Sequence, residues 1–359
     1  MFKQGVFVSK FFVGVAGLLF AGMALAQSSV TLYGLVDGGL LYTSKTLDPS
    51  TGQNAGKQFS TIDSGLSPSQ FGLTGTEDLG DGLKVKFKLE SGFSVANGRF
   101  NDSNGNQFGR QAWVALDSKF GEVKAGLQFS PFFLAVYNSD PREASLFGSG
   151  AVNYLDNVLG TGLFNANAVS YASPVIAGFQ GSLMVALGGE AGNFQAGRQY
   201  SAGLKYDNGG LMVTAAIFDG NSGGTVQTPV PTTLQFEGRT LGASYRFGKL
   251  TAKASFTNYK VAGSFNNNVY GGGLDYLALP ALDINGGVWV TSDRNDTANH
   301  SLLAALGTQY SLSKATLLYA QLAVANNHGA MNTGLSINGA LYGVQGTTTG
   351  VDLGIRHLF

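Results

Sequence analysis

Apolar and polar side chains alternate along this chain with a period of two. The clearest segment runs over 83–90, where four apolar and four charged side chains take turns. The charged set is Lys84, Lys86, Lys88 and Glu90. A helix would scatter these charges around its circumference, whereas a β-strand places them all on one face. The segment therefore predicts a strand with one water-facing side and one apolar side.

Composition restricts how such strands can be assembled. Charged residues make up 12% of the chain, which is about half the share of an average soluble domain. Yet no apolar stretch after Ala26 approaches the ~20 residues that a membrane helix needs. A closed barrel resolves this, because it satisfies every backbone hydrogen bond between strands and exposes alternate side chains to lipid. The alternative is a soluble β-sandwich or β-helix, for which the charge content is low.

Short turns and longer Gly-, Asn- and Ser-rich segments follow each other along the chain. Short turns are predicted at 78–82, 118–121, 207–210, 248–249, 279–281 and 311–314, and long loops at 44–57, 96–106, 188–199, 220–234, 291–299 and 326–346. This asymmetry is typical of an outer-membrane barrel, and the breaks leave room for about sixteen strands. We therefore predict an all-β fold, a transmembrane antiparallel β-barrel. Aromatic residues near strand ends are expected to form interface girdles. They are Tyr42, Phe93, Trp113, Phe129, Phe218, Tyr259 and Tyr310.

The first 26 residues have the pattern of a signal peptide. Lys3 and Lys10 give a positive start, an apolar run follows, and Ala24-Leu25-Ala26 supplies the small residues of a cleavage site. A membrane span is the alternative, for which the run is short. Residues 27–359 are then predicted to be exported as one domain. The chain has no cysteine, which excludes a disulfide scaffold and thiol catalysis.

No group of residues predicts an enzyme, a metal site or a cofactor. The histidines His300, His328 and His357 lack metal-ligand spacing, and there is no Gly-x-Ser-x-Gly motif to supply a nucleophile. Lys+Arg and Asp+Glu number 22 each, so no basic excess predicts a nucleic-acid partner.

Several segments resemble the Gram-negative trimeric porins of the neisserial and burkholderial type. They are 29–40, 71–83, 108–116, 119–124, 169–174 and 354–359, which together span the chain after the signal peptide. The resemblance implies a homotrimer that contacts outer-membrane lipid and lipopolysaccharide. It also implies a water-filled pore for passive diffusion of small hydrophilic solutes and ions. A substrate-selective channel for a sugar or an organic anion is the main alternative, and a barrel enzyme or a plugged adhesin are two others.

The resemblance further implies where the pore narrows. A third loop, roughly 131–167, is expected to fold inward and to face a basic wall, so that opposed charges orient permeating solutes. Its acidic residues are Asp140, Glu143 and Asp156. The expected pore-lining residues are Lys84, Lys86, Lys88, Arg110 and Asp37. The three lysines must face the lumen, because a lysine on the lipid face at mid-bilayer costs about 2–4 kcal/mol. Loop aromatics (Phe132, Phe133 and Tyr137) would suit a sugar.

The chain departs from the family where basic residues are common. Gln70 and Leu127 stand where relatives often carry arginine, and the segment 165–168 contains none. A weakly selective or cation-leaning pore is therefore expected. At the other end, apolar positions alternate along 351–359 and the chain stops at Phe359. A terminal Phe of this kind resembles the signal by which the outer-membrane assembly machinery recognises barrels.

Overall fold

The computed structural model describes residues 29–158, 162–221 and 232–359. The barrel strands of the first half are β1 (Ser29–Thr43), β2 (Gln58–Asp63), β3 (Gln70–Gly80), β4 (Leu83–Gly92), β5 (Gln111–Ser118), β6 (Gly121–Gln128), β7 (Asn165–Ala172), β8 (Phe179–Ala186) and β9 (Gln199–Asp207). Those of the second half are β10 (Leu211–Gly220), β11 (Phe236–Phe247), β12 (Leu250–Val261), β13 (Asn266–Leu279), β14 (Leu282–Asp293), β15 (His300–Ser311), β16 (Thr316–His328) and β19 (Gly346–Leu358). Inside the barrel lie α1 (Pro131–Ser139), α2 (Gly150–Val158) and a hairpin of β17 (Thr333–Ser336) and β18 (Ala340–Tyr342).

The sheet is an antiparallel ring of sixteen crossings, as the spacing of turns predicts. β2 and β3 pair with the same edge of β1, one after the other, and so form a single interrupted strand. β19 pairs with β16 on one side and with β1 on the other, which closes the ring. Gly34 and the terminal Phe359 exchange two backbone hydrogen bonds of 3.0 Å at this seam. Among the described strands, no edge of the ring is left unpaired.

Side chains alternate between the lumen and the outer surface all around the ring. Residues paired across strands share a face, so Leu32, Leu73 and Leu89 form one outward row over β1, β3 and β4. Leu32 is 61% exposed, as a lipid-facing side chain of one protomer must be. On the opposite face of β4, Lys88 is paired with Trp113 and points into the lumen.

The predicted aromatic girdle is only partly right. Tyr42 and Tyr310 do point outward. Phe218 and Tyr259 instead point into the lumen and are buried, and Trp113 lies inward with the Lys124 ammonium 4.6 Å from its ring centre. Nearness to a strand end does not fix the face of a residue, because the face depends on strand pairing. Outward tyrosines and phenylalanines elsewhere, such as the pair Phe179 and Tyr206 with ring centres 4.7 Å apart, form the girdle.

The third loop contains two helices that the sequence interpretation did not predict. The Ser130 side chain accepts a hydrogen bond from the backbone N–H of Phe133, and Pro131 occupies the first helical position of α1. Both are ordinary helix-start signals. Among the described residues, no helix has the length and apolar character to cross a bilayer.

Inward-facing glycines on β11 let α1 lie directly on the barrel wall. A Cβ atom at Gly238 would overlap the Phe132 ring, and one at Gly242 would overlap the Ser139 side chain. Part of the high glycine content therefore makes room for the inward loop.

The long loop between β16 and β19, which the sequence predicts only as a long loop, also enters the lumen. Its hairpin meets the third loop through backbone hydrogen bonds from Gly148 to Leu335 (2.7 Å) and from Ile337 to Leu146 (2.8 Å). The Thr333 hydroxyl contacts that of Ser301 on the inner wall at 2.8 Å. Two loops together therefore narrow the lumen.

Candidate functional site

The inward loop rests on one half of the barrel wall. Phe132 of α1 is fully buried, with its ring centre 6.2 Å from that of Phe218 and 6.1 Å from that of Tyr259. These rings attach α1 to β10 and β12. On the opposite side of the ring, some inward residues of β1, β3, β4, β5 and β19 line an open space.

The buried side chain of Arg142 holds the segment between α1 and α2 in place. The Arg142 guanidinium donates hydrogen bonds to the backbone oxygens of Phe147 (2.6 Å) and Gly148 (2.7 Å). It also donates to the side-chain oxygens of Asn285 (3.0 Å) and Gln321 on the wall. Burial lowers the pKa of Arg142 to about 10, so the group is charged at neutral pH. The sequence interpretation did not single it out, because its partners are far away in the chain.

Of the three acidic loop residues, one is exposed. The Asp140 carboxylate is buried and accepts hydrogen bonds from the backbone N–H groups of Arg142, Ala144 and Gly150, while burial raises its pKa. Asp156 accepts a 3.2 Å hydrogen bond from Thr333, and burial raises its pKa to about 7. Glu143 is exposed. That these residues set ion preference stays a prediction.

A slit of about 450 Å³ separates the inward loop from the uncovered wall. The wall contributes polar side chains, namely Gln70, Lys88, Glu90, Arg110, Gln111 and Arg356. The loop contributes mainly apolar ones, including Phe133, Leu134, Tyr137, Tyr154 and Leu155. The two sides of the constriction thus differ in polarity as well as in charge.

Glu90 organises the charged wall. It forms salt bridges with Lys88 (2.9 Å) and Arg110 (3.0 Å), and it accepts a 2.8 Å hydrogen bond from the Tyr33 hydroxyl. Arg110 also donates to the backbone oxygen of Asp102 at 2.9 Å. The Arg110 side chain is largely buried. Lys88 and Arg110 both line the slit. Sequence alternation places Glu90 on the lysine face but does not indicate that it joins the two cations.

Arg356 is a slit residue that the sequence interpretation missed. Its Nη1 atom donates to the Ser67 hydroxyl at 3.1 Å, and within the part of the chain that the structure describes it forms no salt bridge. The signal was available, because Arg356 lies between the outward positions Ile355 and His357. Period two alone would have placed it in the lumen.

The other predicted pore-lining residues lie away from the slit. Lys84 and Lys86 face the lumen nearer the short-turn end, where Lys86 forms salt bridges with Asp117 (2.6 Å) and Glu122 (3.3 Å). Their part in conduction stays a prediction.

Asp37 faces inward but is fully buried. Its carboxylate accepts hydrogen bonds from the Tyr319 hydroxyl (2.7 Å) and from three consecutive backbone N–H groups, at 65–67. The residue thereby holds the break between β2 and β3. Whether it borders the water path also stays a prediction.

Comparisons with known proteins agree with this geometry. A family model described as Gram-negative porin matches residues 13–330. Outer membrane porin protein 32 of Delftia acidovorans is 32% identical over 375 residues, which cover 98% of this chain and 100% of the relative. The structure of an anion-selective porin from Comamonas acidovorans has a TM-score of 0.79 at 29% identity, covering 93% of this chain and 100% of the other. The trimer form of OmpT from Vibrio cholerae, at 14% identity and a TM-score of 0.67, is alike in fold and covers 92% of this chain and 99% of its own.

Proposed function

Since the chain belongs to the Gram-negative porin family and is an outer-membrane β-barrel, we propose that it is a passive pore for small hydrophilic solutes and ions. The observation that carries this proposal is the slit. The inward loop covers one half of a closed wall, and about 450 Å³ stays open beside Lys88, Arg110 and Arg356. Solutes cross by diffusion along this lumen, and the loop sets the size limit.

The charges around the slit favour anions. Three cations (Lys88, Arg110 and Arg356) stand against two carboxylates, those of Glu90 and Asp102. Asp102 is partly buried, and burial raises its pKa. The relative from Comamonas acidovorans is anion-selective by name. The absence of several family arginines predicts instead a weak preference or a preference for cations. The reversal potential separates these expectations, because anion preference and cation preference give it opposite signs.

The proposal includes export and assembly. Residues 1–26 would be removed as a signal peptide, and they lie outside the described residues. Residues 27–359 would then form a homotrimer in contact with outer-membrane lipid and lipopolysaccharide, through a surface that carries exposed apolar side chains. Recognition of Phe359 by the assembly machinery fits its position at the closing seam.

Cysteine labelling tests the pore, because the natural chain has no cysteine. We expect that Leu134→Cys, on the loop side of the slit, reacts with a bulky methanethiosulfonate reagent and loses at least about half of its single-channel conductance in planar bilayers, since the added group fills space that a water path needs. The matched control is Leu241→Cys, which is exposed on the outer face. It should be modified without any change in conductance.

Two results would count against the proposal. Folded protein that never opens in discrete conductance steps is not a pore. Full modification at Leu134→Cys, verified by mass, with an unchanged conductance would place the ion path elsewhere. In the same bilayers, a salt gradient gives the reversal potential, and a sign that indicates cation preference would refute the proposed anion preference.

A further inference from the structure

The face of α1 that borders the slit is apolar and is exposed to the lumen. Leu134 and Tyr137 lie about one helical turn apart and are 43% and 45% exposed. Phe133 adds a ring whose centre is 6.2 Å from that of Tyr137. α1 already buries Phe132 and Ala135 against the wall, so docking of the helix does not require this second apolar face. Apolar surface held in water is unfavourable unless a partner covers it.

Across the slit, Arg356 has N–H groups that donate no hydrogen bond among the described residues. Lys88 and Arg110 are committed to Glu90, whereas Arg356 donates from Nη1 to a neutral hydroxyl. Its Nε atom is buried and has no acceptor among the described residues. A buried donor of this kind is costly until an acceptor reaches it. A carboxylate matches a guanidinium well, because its two oxygens accept two parallel N–H bonds.

The apolar face and the free cation belong to the same space. Both line the slit of about 450 Å³, a volume within the range of small-molecule sites. Arg356 is close enough to Tyr137 to act on its hydroxyl. Burial raises the pKa of Tyr137, the charges of Glu143 and Asp140 raise it further, and the charge of Arg356 lowers it. A molecule that spans the slit would therefore have one end beside a cation and its body beside hydrocarbon.

We propose that the slit binds amphipathic carboxylates, with the carboxylate at Arg356 and an aromatic or branched hydrocarbon body against Leu134, Tyr137 and Phe133. The inference rests on the proposed pore, since such an acid enters and leaves along the same path. It goes beyond anion preference in naming the body of the solute. A small inorganic anion would use the arginine alone, and a neutral sugar would leave the arginine without a partner.

Calorimetry on the folded, detergent-solubilised protein tests binding without any need for current. The probe is 3-phenylpropionate. Acetate has the carboxylate without the body, 3-phenylpropionamide has the body without the charge, and glucose stands for sugars. We expect 3-phenylpropionate to bind at least about tenfold more tightly than the other three, because only it uses both sides of the slit.

Variants separate the two contributions. Arg356→Gln should weaken 3-phenylpropionate about tenfold, the scale of a lost charge-assisted hydrogen bond, and Arg356→Lys should keep part of the affinity. Leu134→Ser should weaken 3-phenylpropionate several-fold through lost apolar contact and leave acetate unchanged. The matched control is Arg246→Gln, an arginine of β11 that faces the lumen outside the slit. It should bind like the wild type.

The inference and the pore fail in different measurements. Equal affinities for 3-phenylpropionate and acetate, or wild-type affinity in folded Arg356→Gln, would overturn the inference while conductance steps in potassium chloride still supported the pore. Selective binding by a protein that never conducts would support the site and refute the pore. Heat-modifiable mobility in gels reports whether each variant has folded.

Discussion

Replacing Arg142 by methionine should release the inward loop without unfolding the barrel. Methionine fills a similar space but donates no hydrogen bond. The oxygens of Phe147 and Gly148 and the side-chain oxygen of Asn285 then lose the donor that reaches them now, whereas Gln321 keeps its 2.8 Å bond from Ser145. The bonds to Asn285 and Gln321 join the loop to the wall, and those to Phe147 and Gly148 hold the loop's own fold. Every backbone bond of the sheet is left in place.

The magnitude follows from the three oxygens that are left without a donor. A buried polar group without a partner costs about 1–3 kcal/mol. Three such oxygens would therefore destabilise the docked loop by roughly 3–9 kcal/mol if all of them stayed dry. The lumen lies nearby and lets water reach these oxygens, which brings the cost toward the lower figure. About 3 kcal/mol still changes the ratio of docked to undocked loop by a factor on the order of 100.

Single-channel recording measures this directly. We expect Arg142→Met to show frequent steps between conductance levels where the wild type is quiet, because the segment between α1 and α2 leaves the wall and returns. Thermal unfolding of the barrel should change little. Arg239→Met is the matched control, because Arg239 is 67% exposed on the outer surface and pairs with Glu237 there. Its traces should equal those of the wild type.

The reasoning would be refuted by quiet traces from folded Arg142→Met. That result would mean that the aromatic contacts of α1 hold the whole loop and that the arginine contributes nothing to docking. A large fall in the unfolding temperature would also contradict it, because the barrel would then depend on the loop.

Two further predictions concern the same loop. Gly242→Val should move α1 into the slit and lower the conductance, since overpacking costs about 1–3 kcal/mol and the new side chain would overlap Ser139. Gly272→Val should conduct normally, because this position points outward and an added Cβ meets the backbone oxygen of Lys253 at an ordinary 3.7 Å. Burial raises the pKa of Asp156 from 3.8 to about 7, so the docked loop holds the proton more tightly than a free loop does. The docked position of Asp156 is therefore most stable below about pH 4 and weakens as the pH rises through about 7, because burial disfavours the carboxylate more than the hydrogen bond from Thr333 favours it. Current fluctuations should increase over that range by several-fold, and Asp156→Asn should abolish the dependence on pH.

The wall of the barrel could be predicted from the sequence because lipid and water enforce it residue by residue. The alternation over 83–90 depends on local chemistry alone, and the pairing of Lys86 and Lys88 with residues of β5 keeps the predicted face. The same rule would have placed Arg356 in the lumen. The prediction that Phe218 belongs to the girdle was wrong because either face of a strand accepts a ring near the strand end.

The contents of the lumen could not be predicted in this way. Arg142 and Gln321 are 179 positions apart, and no local pattern indicates that they meet. The three acidic residues of the loop were expected to face a basic wall across the constriction. In fact Asp140 binds the backbone of its own loop and Asp156 contacts the hairpin of another. The number of charges in a loop says little about a pore when the loop uses those charges to hold its own fold.

The glycines of the wall therefore determine the character of the constriction. α1 and the turn after it approach the wall closely at inward positions that lack a side chain: Gly238 and Gly242 lie under α1, and Gly273 and Gly287 lie under Pro141. The loop therefore covers the half of the barrel that has glycine at these inward positions. The uncovered half is the one that carries Lys88, Arg110 and Arg356. In the proposed pore, solutes would therefore pass beside the charged half, because the loop occupies the glycine half. A charge added to the covered strands would be hidden by the loop, whereas one added beside Arg356 would act on every solute that crosses.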